Sequence, residues 1–395
     1  MKINFELYLL VIIAFVTSCS SDKKVNDGLV HIDVRKIYPE KEIILTDIAD
    51  INYVYLSSDD DDYLYRGRIN CITKNTIVIH SYPLGDILFF SKDGNPKSRF
   101  NRKGNGPEEY KGAGTIIYDE TADDLFFCQM NDILVYSSMG EYKRKLTLPK
   151  ATTWTRIISF DDHSLLLYDA MAQMTDRKRL EPDDPDFPTN NYVSPFVRIS
   201  KADGKVLEYV EIPNTSIVLG AFREDVGLVP GRANRLVKIK EGVLLCNPET
   251  DTVFLYCNDK PITPLIYKTP SVDSLDPMVY LNNCVDVGRF QFIEIFTVRF
   301  EEGAFPFPAK YLMRDKKTGE IFRQKIILPD YKEKEFIISP VQSGDDYENG
   351  PYFELDLIEL KQAYRENKLS GELKELVAKL NEDEDNNVFM LIHFK

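Results

Sequence analysis

The chain has 395 residues, a length that suits two or three ordinary domains or one large repeat architecture. Hydrophobic residues make up 43% and charged residues 28%, with 22 Tyr and 23 Phe, which excludes a disordered, collagenous or multi-span membrane chain. The 63 Asp and Glu outnumber the 49 Lys and Arg, and the resulting net charge of −14 disfavours nucleic-acid binding.

The N-terminal region is typical of a secretion signal. Residues 7–16 form an uninterrupted apolar run, which is too short for a permanent membrane helix, and Cys19 follows the small residues Thr17 and Ser18. The order Val16-Thr17-Ser18-Cys19 resembles a bacterial lipobox, in which the cysteine is acylated and becomes the mature N-terminus. We therefore predict lipidation at Cys19, with an ordinary secretory signal that ends at a cysteine as the alternative.

The other five cysteines are scattered and show no C-x-x-C spacing, so neither a disulfide framework nor a zinc site is indicated. Four of them lie in apolar or alternating runs and are expected to be small buried thiols: Cys71, Cys128, Cys246 and Cys257. Cys284 is the fifth, and a single disulfide stays open as an alternative.

Along the chain, a strand, a short polar turn and a second strand recur five times, at 87–100, 133–146, 196–212, 252–267 and 310–328. A more apolar pair of strands precedes each of these hairpins, at 69–82, 115–129, 156–170, 234–248 and 283–300. Two hairpins supply four antiparallel strands, which is the content of one β-propeller blade. Five blades are visible in this way.

A sixth blade is expected to begin at 335–343 and to continue at 387–395, with residues 51–58 supplying its missing outer strand. Strands from both chain ends would then close the ring and remove exposed sheet edges. The arithmetic favours six blades over five or seven.

Apolar residues at helical spacing predict a pair of short helices, 355–367 and 370–382, inserted in the last blade. The pair is interpreted as a cap on one end or side of the ring, with a gate over the channel as the alternative. The prediction is an all-β, six-bladed β-propeller of four-stranded antiparallel blades with a small helical insertion. Its predicted regions are a lipoprotein signal peptide (1–18), a lipidated tether (19–42) and the propeller (43–395, insertion 355–382).

Residues 101–110 read Asn-Arg-Lys-Gly-Asn-Gly-Pro-Glu-Glu-Tyr between two blades, and Lys92-Asp93-Gly94 forms a hairpin turn before them. Together with the lipobox, this Gly-x-Gly-Pro-x-Glu-Tyr run resembles the six-bladed propeller lipoproteins of Bacteroidetes, which are similar to NHL-repeat propellers. The resemblance implies a ligand-binding face near Arg102, Lys103, Glu108 and Tyr110. From the residues alone, the glycines are most simply explained by a tight crossing between blades.

Catalytic motifs of the familiar classes are missing from the sequence. His163 is the least ordinary histidine because Asp161 and Asp162 precede it. No metal ligands are assigned; a divalent cation such as Ca²⁺ is the alternative to no cofactor. The carboxylates considered for it are Asp59 to Asp62, Asp345 and Asp346, and, by likeness to propeller lactonases, Asp286 and Glu294 with Asn283.

The functional prediction is a membrane-anchored, extracytoplasmic propeller of the cell envelope, placed at the outer membrane, that acts as a noncatalytic binding or scaffold module. Its expected ligand is an envelope protein, a peptide or a glycan. The alternative is a metal-dependent hydrolase, lactonase or lyase with its site at the central channel. A structural component of an envelope complex is the third hypothesis.

Overall fold

The structure is a computed structural model. It describes residues 28–58, 63–65, 67–82, 84–112, 114–129, 132–148, 154–169, 194–212, 222–223, 227–228, 236–247, 250–297, 308–339 and 351–395. Within these ranges, no helix has the length and apolar character that a bilayer crossing requires.

The described chain begins with four short elements: β1 (Val30–Asp33), β2 (Glu40–Ile44), the helical turn α1 (Leu45–Ile48) and β3 (Ala49–Tyr55). None of the first three belongs to a blade hairpin.

Blades one to three are four-stranded antiparallel sheets, and each is built from two of the predicted hairpins. Their strands are, for blade one, β4 (Arg68–Ile72), β5 (Thr76–Ser81), β6 (Asp86–Ser91) and β7 (Pro96–Phe100); for blade two, β8 (Thr115–Asp119), β9 (Asp124–Cys128), β10 (Asp132–Tyr136) and β11 (Tyr142–Thr147); and for blade three, β12 (Trp154–Ser159), β13 (Ser164–Asp169), β14 (Phe196–Ser200) and β15 (Val206–Tyr209). The hairpin pattern in this part of the chain is confirmed.

Blades four and five also contain four antiparallel strands, and blade six contains three. A short hairpin whose strands have two residues each, β16 (Phe222–Arg223) and β17 (Gly227–Leu228), precedes blade four in the sequence. Their strands are, for blade four, β18 (Leu236–Ile239), β19 (Gly242–Cys246), β20 (Thr252–Cys257) and β21 (Lys260–Thr269); for blade five, β22 (Val279–Val287), β23 (Phe290–Thr297), β24 (Ala309–Asp315) and β25 (Ile321–Ile327), with β26 (Glu335–Phe336) beside β25; and for blade six, β27 (Tyr352–Leu355), β28 (Val388–Phe394) and β3.

The sixth blade differs from the sequence prediction at its first strand. The stretch 335–343 was expected to open this blade, but β26 pairs with β25 of blade five instead. The inner strand is β27, which pairs with β28. β28 in turn pairs with β3, so strands from both parts of the chain close the ring as predicted.

β1 and β2 lie in or next to the segment predicted as a tether, 19–42. β1 adds to β21 in parallel, so that blade four gains a fifth strand. β2 adds to β25 in the same way, and its acidic side chains meet basic partners: Glu40 with Arg323 at 3.1 Å and Glu42 with Lys325 at 3.3 Å. The chain from Val30 to Ile44 therefore covers the outer edges of two blades.

The six sheets pack face to face around a channel, and apolar clusters fill the contacts between neighbouring blades. Phe89 lies between blades one and two, Phe126 between two and three, and Phe196 between three and four. Phe292 belongs to the core that blades four, five and six share, and Phe389 joins blade six to blade one. Because both faces of most sheets are covered, the middle strands are continuous apolar runs.

The predicted helical insertion is present between β27 and β28, as α2 (Leu357–Arg365) and α3 (Gly371–Lys379). Asp356 caps α2, since its carboxylate accepts the backbone N–H of Glu359 at 3.0 Å. The apolar faces of both helices, including Leu360 and Leu373, pack into the core shared by blades four, five and six. No helix residue lines the channel cavity described below, so the described contacts agree with the side cap and do not place a gate there.

Glycines in the turns between third and fourth strands also join neighbouring blades. Gly94 has a φ of +85°, and a Cβ atom there would lie 1.9 Å from the carbonyl oxygen of Tyr55 in β3. Gly140 and Gly204 pack in the same way on the ends of β7 and β11. Gly319, the corresponding glycine of blade five, also has a positive φ but faces open space.

Candidate functional site

The Gly-x-Gly-Pro-x-Glu-Tyr segment forms a closed loop between β7 and β8. The backbone N–H of Gly104 donates to the carbonyl of Tyr110 at 3.0 Å, and the N–H of Tyr110 donates to the carbonyl of Arg102 at 3.1 Å. These bonds bring both ends of the loop together at the crossing from blade one to blade two.

Tyr110 is a fully buried core residue rather than an exposed one. Its hydroxyl donates to the carbonyl of Gly85 at 2.5 Å and accepts the N–H of Arg102 at 2.9 Å. Its ring stacks on Phe127 at 4.2 Å between ring centres. Burial raises the pKa of the Tyr110 hydroxyl above its ordinary value. The motif tyrosine therefore fastens blade one to blade two.

The motif glycines are explained by the close approach of the Glu109 side chain and not by a left-handed backbone, since neither Gly104 nor Gly106 has a positive φ. The Glu109 carboxylate accepts the N–H of Gly106 at 2.8 Å, and a Cβ at Gly104 would lie 1.9 Å from the same oxygen. Sequence reasoning singled out Glu108 and overlooked Glu109, although Glu109 is the glutamate directly before the motif tyrosine.

The remaining predicted ligand-face residues are exposed around this loop. Arg102 donates from Nε to the carbonyl of Gly140 at 3.0 Å, and the carbonyl of Glu108 accepts the hydroxyl of Tyr136 at 2.8 Å. Lys103 lies beside them. Both contacts join the loop to blade two, and a ligand role for this face stays a prediction.

A cavity of about 750 Å³ occupies the channel at the other end of the ring, which we call the turn end because it holds the first hairpin turns of the blades. Its size lies within the range of small-ligand sites. Its lining residues come from blades one to four and from Tyr352 of blade six: 70–74, 115–121, 157–162 and 238–243, with Lys201, Cys257 and Asn258.

The carboxylates of blade two in this cavity are engaged in joining blades. Asp119 accepts the ammonium group of Lys201, a blade-three residue whose side chain is 8% exposed, at 2.7 Å. Burial opposes ionisation of Asp119, but the hydrogen bond and charge of Lys201 outweigh it and lower the pKa. Glu120 accepts the hydroxyls of Thr76 at 2.6 Å and Thr73 at 3.1 Å in blade one, and these bonds outweigh burial and lower its pKa.

Asp161 of blade three is engaged as well, since it accepts the Ser164 hydroxyl at 2.7 Å and the N–H of His163 at 2.9 Å. These hydrogen bonds outweigh burial and lower the pKa of Asp161. The His163 side chain is exposed, and its backbone belongs to this turn. Asp162, Glu241, Lys74 and Lys240 are exposed at the rim, which therefore carries both signs of charge.

Two of the four cysteines expected to be buried depart from that prediction. Cys128 and Cys246 are buried, whereas Cys71 and Cys257 are partly exposed in the cavity wall. The Cys257 thiol lies 3.0 Å from the carbonyl of Glu241. Cys128 and Cys257 are free thiols.

Of the carboxylates considered for a metal, Asp286 and Glu294 lie in the described ranges, and neither lines the cavity. Asp286 accepts Lys316 at 2.5 Å and Gln291 at 2.7 Å, and Glu294 accepts the hydroxyl of Ser339 at 3.0 Å. In the register of β22 and β23, Asn283 lies opposite Glu294. Within the described ranges, no group of three or more His, Cys, Asp or Glu is arranged to hold a metal ion.

Several predicted positions lie outside the described residues. These are Cys19, Asp59 to Asp62, Asp345 and Asp346. Their predicted roles stay predictions.

A family model and one solved structure support the fold. A family model described as a six-bladed β-propeller matches residues 21–183. A Bacteroides fragilis protein described as exported has a crystal structure that is 16% identical, with a TM-score of 0.62 over 93% of this chain and 99% of its own. Virginiamycin B lyase from Staphylococcus aureus is 12% identical, with a TM-score of 0.36 over 74% of this chain and 76% of its own. No curated protein sequence matches the chain. The predicted resemblance to six-bladed β-propellers is confirmed.

Proposed function

We propose that this protein is a lipid-anchored, extracytoplasmic β-propeller that binds a protein, peptide or glycan without transforming it, and that the ligand occupies the cavity at the turn end. The observation that carries the proposal is the hydrogen bonding of three carboxylates in the cavity lining. Asp119, Glu120 and Asp161 are each held by hydrogen bonds to protein groups. A preformed cavity whose polar wall groups are occupied in this way suits retention of a ligand better than proton transfer.

The structural argument concerns rigidity. Lys201 joins blade three to blade two, and Thr76 with Glu120 joins blade one to blade two. The groups that line the cavity are therefore also those that hold the blades in register. Binding to such a site requires little reordering, so less of the interaction free energy is lost on association.

Photo-crosslinking tests the location of the site. A benzoylphenylalanine residue replaces Lys240 at the cavity rim, Lys103 at the motif loop, or Lys205, a residue that is 83% exposed and outside the cavity lining. We expect discrete adducts in intact cells from position 240 and none from position 205. Adducts from position 103 alone would move the site to the motif face, and the absence of discrete adducts from both faces would contradict the proposal.

The proposal that the protein does not transform its ligand is tested by metal analysis of the purified protein, with thermal unfolding measured before and after EDTA. A ligand that binds only the folded state raises its stability. We expect no stoichiometric metal and no change in the melting temperature. A stoichiometric metal whose removal lowers the melting temperature would replace the binding proposal with the metal-dependent hydrolase, lactonase or lyase.

The envelope location is supported by the apolar run 7–16, by Cys19 directly after it, and by the fold shared with a protein described as exported. Fractionation of cells that produce the wild type or the Cys19→Ser variant tests it. We expect the wild type in the outer-membrane fraction with an acyl mass on Cys19 and the variant without the acyl mass. Equal fractionation and an unmodified Cys19 would contradict the anchor.

A further inference from the structure

The turn between β1 and β2 carries the most exposed large apolar side chain of the described residues. Ile37 is 91% exposed. Arg35 and Lys36, which directly precede it, are exposed as well, whereas Tyr38 after it is buried. An apolar side chain that projects beside basic ones is typical of surfaces at a membrane interface, where the apolar group enters the headgroup region and the cations stay at its surface.

This turn is fixed to the propeller on both sides. Before it, the backbone N–H of Val34 donates to the carbonyl of Thr269 in blade four at 2.9 Å. After it, the carbonyl of Pro39 accepts the N–H of Arg323 in blade five at 2.8 Å. The two blades therefore hold the turn in the position that presents Ile37 to the outside.

The predicted lipid anchor is close to this turn in the sequence. Val30, the first residue of β1, comes eleven positions after Cys19, and a chain of that length reaches at most about 40 Å. A compact domain of about 350 residues has a radius of gyration of about 20 Å and a diameter of about 50 Å. In a six-bladed ring, blade one lies opposite blade four, which β1 covers. The tether is therefore too short for the outer edge of blade one to face the bilayer.

The distribution of charge favours the same side of the ring. Residues 1–44 contain six basic and six acidic residues, so the net charge of −14 belongs entirely to residues 45–395. An acidic lipid surface therefore repels residues 45–395 as a whole and not the N-terminal segment. Arg35 is paired with Asp33 at 3.2 Å, so the exposed ammonium group of Lys36 is the cation that would meet lipid phosphates.

We infer that the outer edge of blades four and five, through the turn at residues 35–39, is the surface that contacts the lipid bilayer. The inference rests on the proposed function, because it takes Cys19 as the lipid anchor. Ile37 would enter the headgroup region and Lys36 would bind phosphate groups. The acyl chains then supply the anchoring and Ile37 sets the orientation, with the outer edges of blades one and two directed away from the bilayer.

Photo-crosslinking to lipid tests this orientation. Benzoylphenylalanine replaces Ile37 or Met139 in the full-length protein, which is purified with its acyl chains and reconstituted into vesicles of phosphatidylethanolamine and phosphatidylglycerol. Met139 is the matched control, because it is also apolar, is 67% exposed and lies in a turn of blade two, opposite blade five. Mass spectrometry of peptides measures the fraction of each position that is linked to phospholipid, and melting temperatures verify that both variants are folded.

We expect about tenfold more phospholipid adduct at position 37 than at position 139, which corresponds to about 1.4 kcal/mol between the two orientations. The contribution of the isoleucine itself is measured with the probe at Pro39, where the additional substitution Ile37→Ser should lower the yield of phospholipid adduct. An unchanged yield at position 39 would show that Ile37 does not set the orientation and would contradict the inference.

The inference and the proposed function fail in different ways. Equal phospholipid yields at positions 37 and 139, with Cys19 acylated, overturn the orientation and leave the anchor in place. Adducts from position 37 to a second copy of the chain in place of phospholipid would make the turn a protein contact and also overturn the inference. An unmodified Cys19 overturns the anchor and the inference together. Crosslinks from position 240 in the cavity depend on neither result.

Discussion

The outer strands of blades one to three and those of blades four and five are connected to the rest of the ring by different contacts. In blades one to three, the turn glycines Gly94, Gly140 and Gly204 pack on the outer region of the preceding blade. In blades four and five, the outer strands are covered by β1 and β2. The repeated hairpin therefore joins blades in one part of the ring, and a separate N-terminal segment does so in the other.

Blade five shows what replaces the glycine contact. Gly319 faces open space, and Asp315 holds the same turn from within the blade. The Asp315 carboxylate accepts the guanidinium of Arg289 and the N–H of Lys317, the latter at 2.9 Å. The same type of glycine-containing turn can therefore contact a neighbouring blade or be held by side chains of its own blade, depending on which groups lie next to it.

The largest expected effect concerns the buried pair that joins blade three to blade two. Lys201→Ala would leave the Asp119 carboxyl group, which is 15% exposed, without its ammonium partner, and we expect the free energy of unfolding to fall by about 3 kcal/mol. The matched control is Lys205→Ala, which removes a solvent-exposed pair with Asp203 and should change stability little. Denaturant unfolding measures both variants, and equal losses would show that blades two and three are held by other contacts.

The second prediction compares two turn glycines. In Gly94→Ala the new methyl group meets the Tyr55 carbonyl and the backbone is left-handed, so we expect a loss of about 3 kcal/mol. In Gly319→Ala only the left-handed conformation is unfavourable, and the expected loss is about 1 kcal/mol. Thermal and denaturant unfolding give the comparison. Similar losses at both positions would mean that the turn of blade one has no special contact with blade six.

The third prediction is a pH dependence in blade five. The hydrogen bond from Arg289 lowers the pKa of Asp315 to about 2, below its ordinary value of 3.8. Because the pKa is lower in the folded state, ionised Asp315 stabilises the protein at pH values above its ordinary pKa of 3.8. This stabilisation is lost as the pH falls through about 2. We expect Asp315→Asn to remove that part of the acid destabilisation between pH 4 and pH 2, as measured by melting temperature. An unchanged pH profile would contradict the assignment.

The smallest effect is expected for the charge pairs that align β2 with blade five. Glu40→Lys combined with Glu42→Lys places like charges opposite Arg323 and Lys325. We expect faster amide hydrogen exchange in β25, with exchange in β7 of blade one unchanged as the internal control. If β25 keeps its protection, backbone pairing and packing of β2 suffice without the charges.

Much of the fold was predictable because a propeller repeats a local unit. Each predicted hairpin of blades one to five corresponds to two observed strands, since alternating or continuous apolar runs and turn residues are local signals. β27 was missed because it has only four residues and no hairpin partner nearby in the sequence. β1 and β2 were missed for the same reason, and because their partners β21 and β25 follow more than two hundred residues later.

The candidate site was less predictable. The motif at 101–110 was recognised, but the roles of its residues depend on blade two: Phe127 stacks on Tyr110, and Gly140 accepts from Arg102. The sequence predicted a central channel but not this cavity, because the cavity lining combines residues from five blades. The strand sequence around Cys257 predicts a buried thiol. Its position in the cavity wall depends on how the neighbouring blades pack.

The sequence by itself determined the hairpin strands of blades one to five, their turns and the number of blades, because apolar periodicity and turn chemistry act over a few residues. Tertiary structure decided which outer edges β1 and β2 cover, which turn glycines touch a neighbour, and which carboxylates are engaged in joining blades. The physical reason is that each of these features depends on groups far apart in the chain that meet only when the ring closes, so no local pattern encodes them.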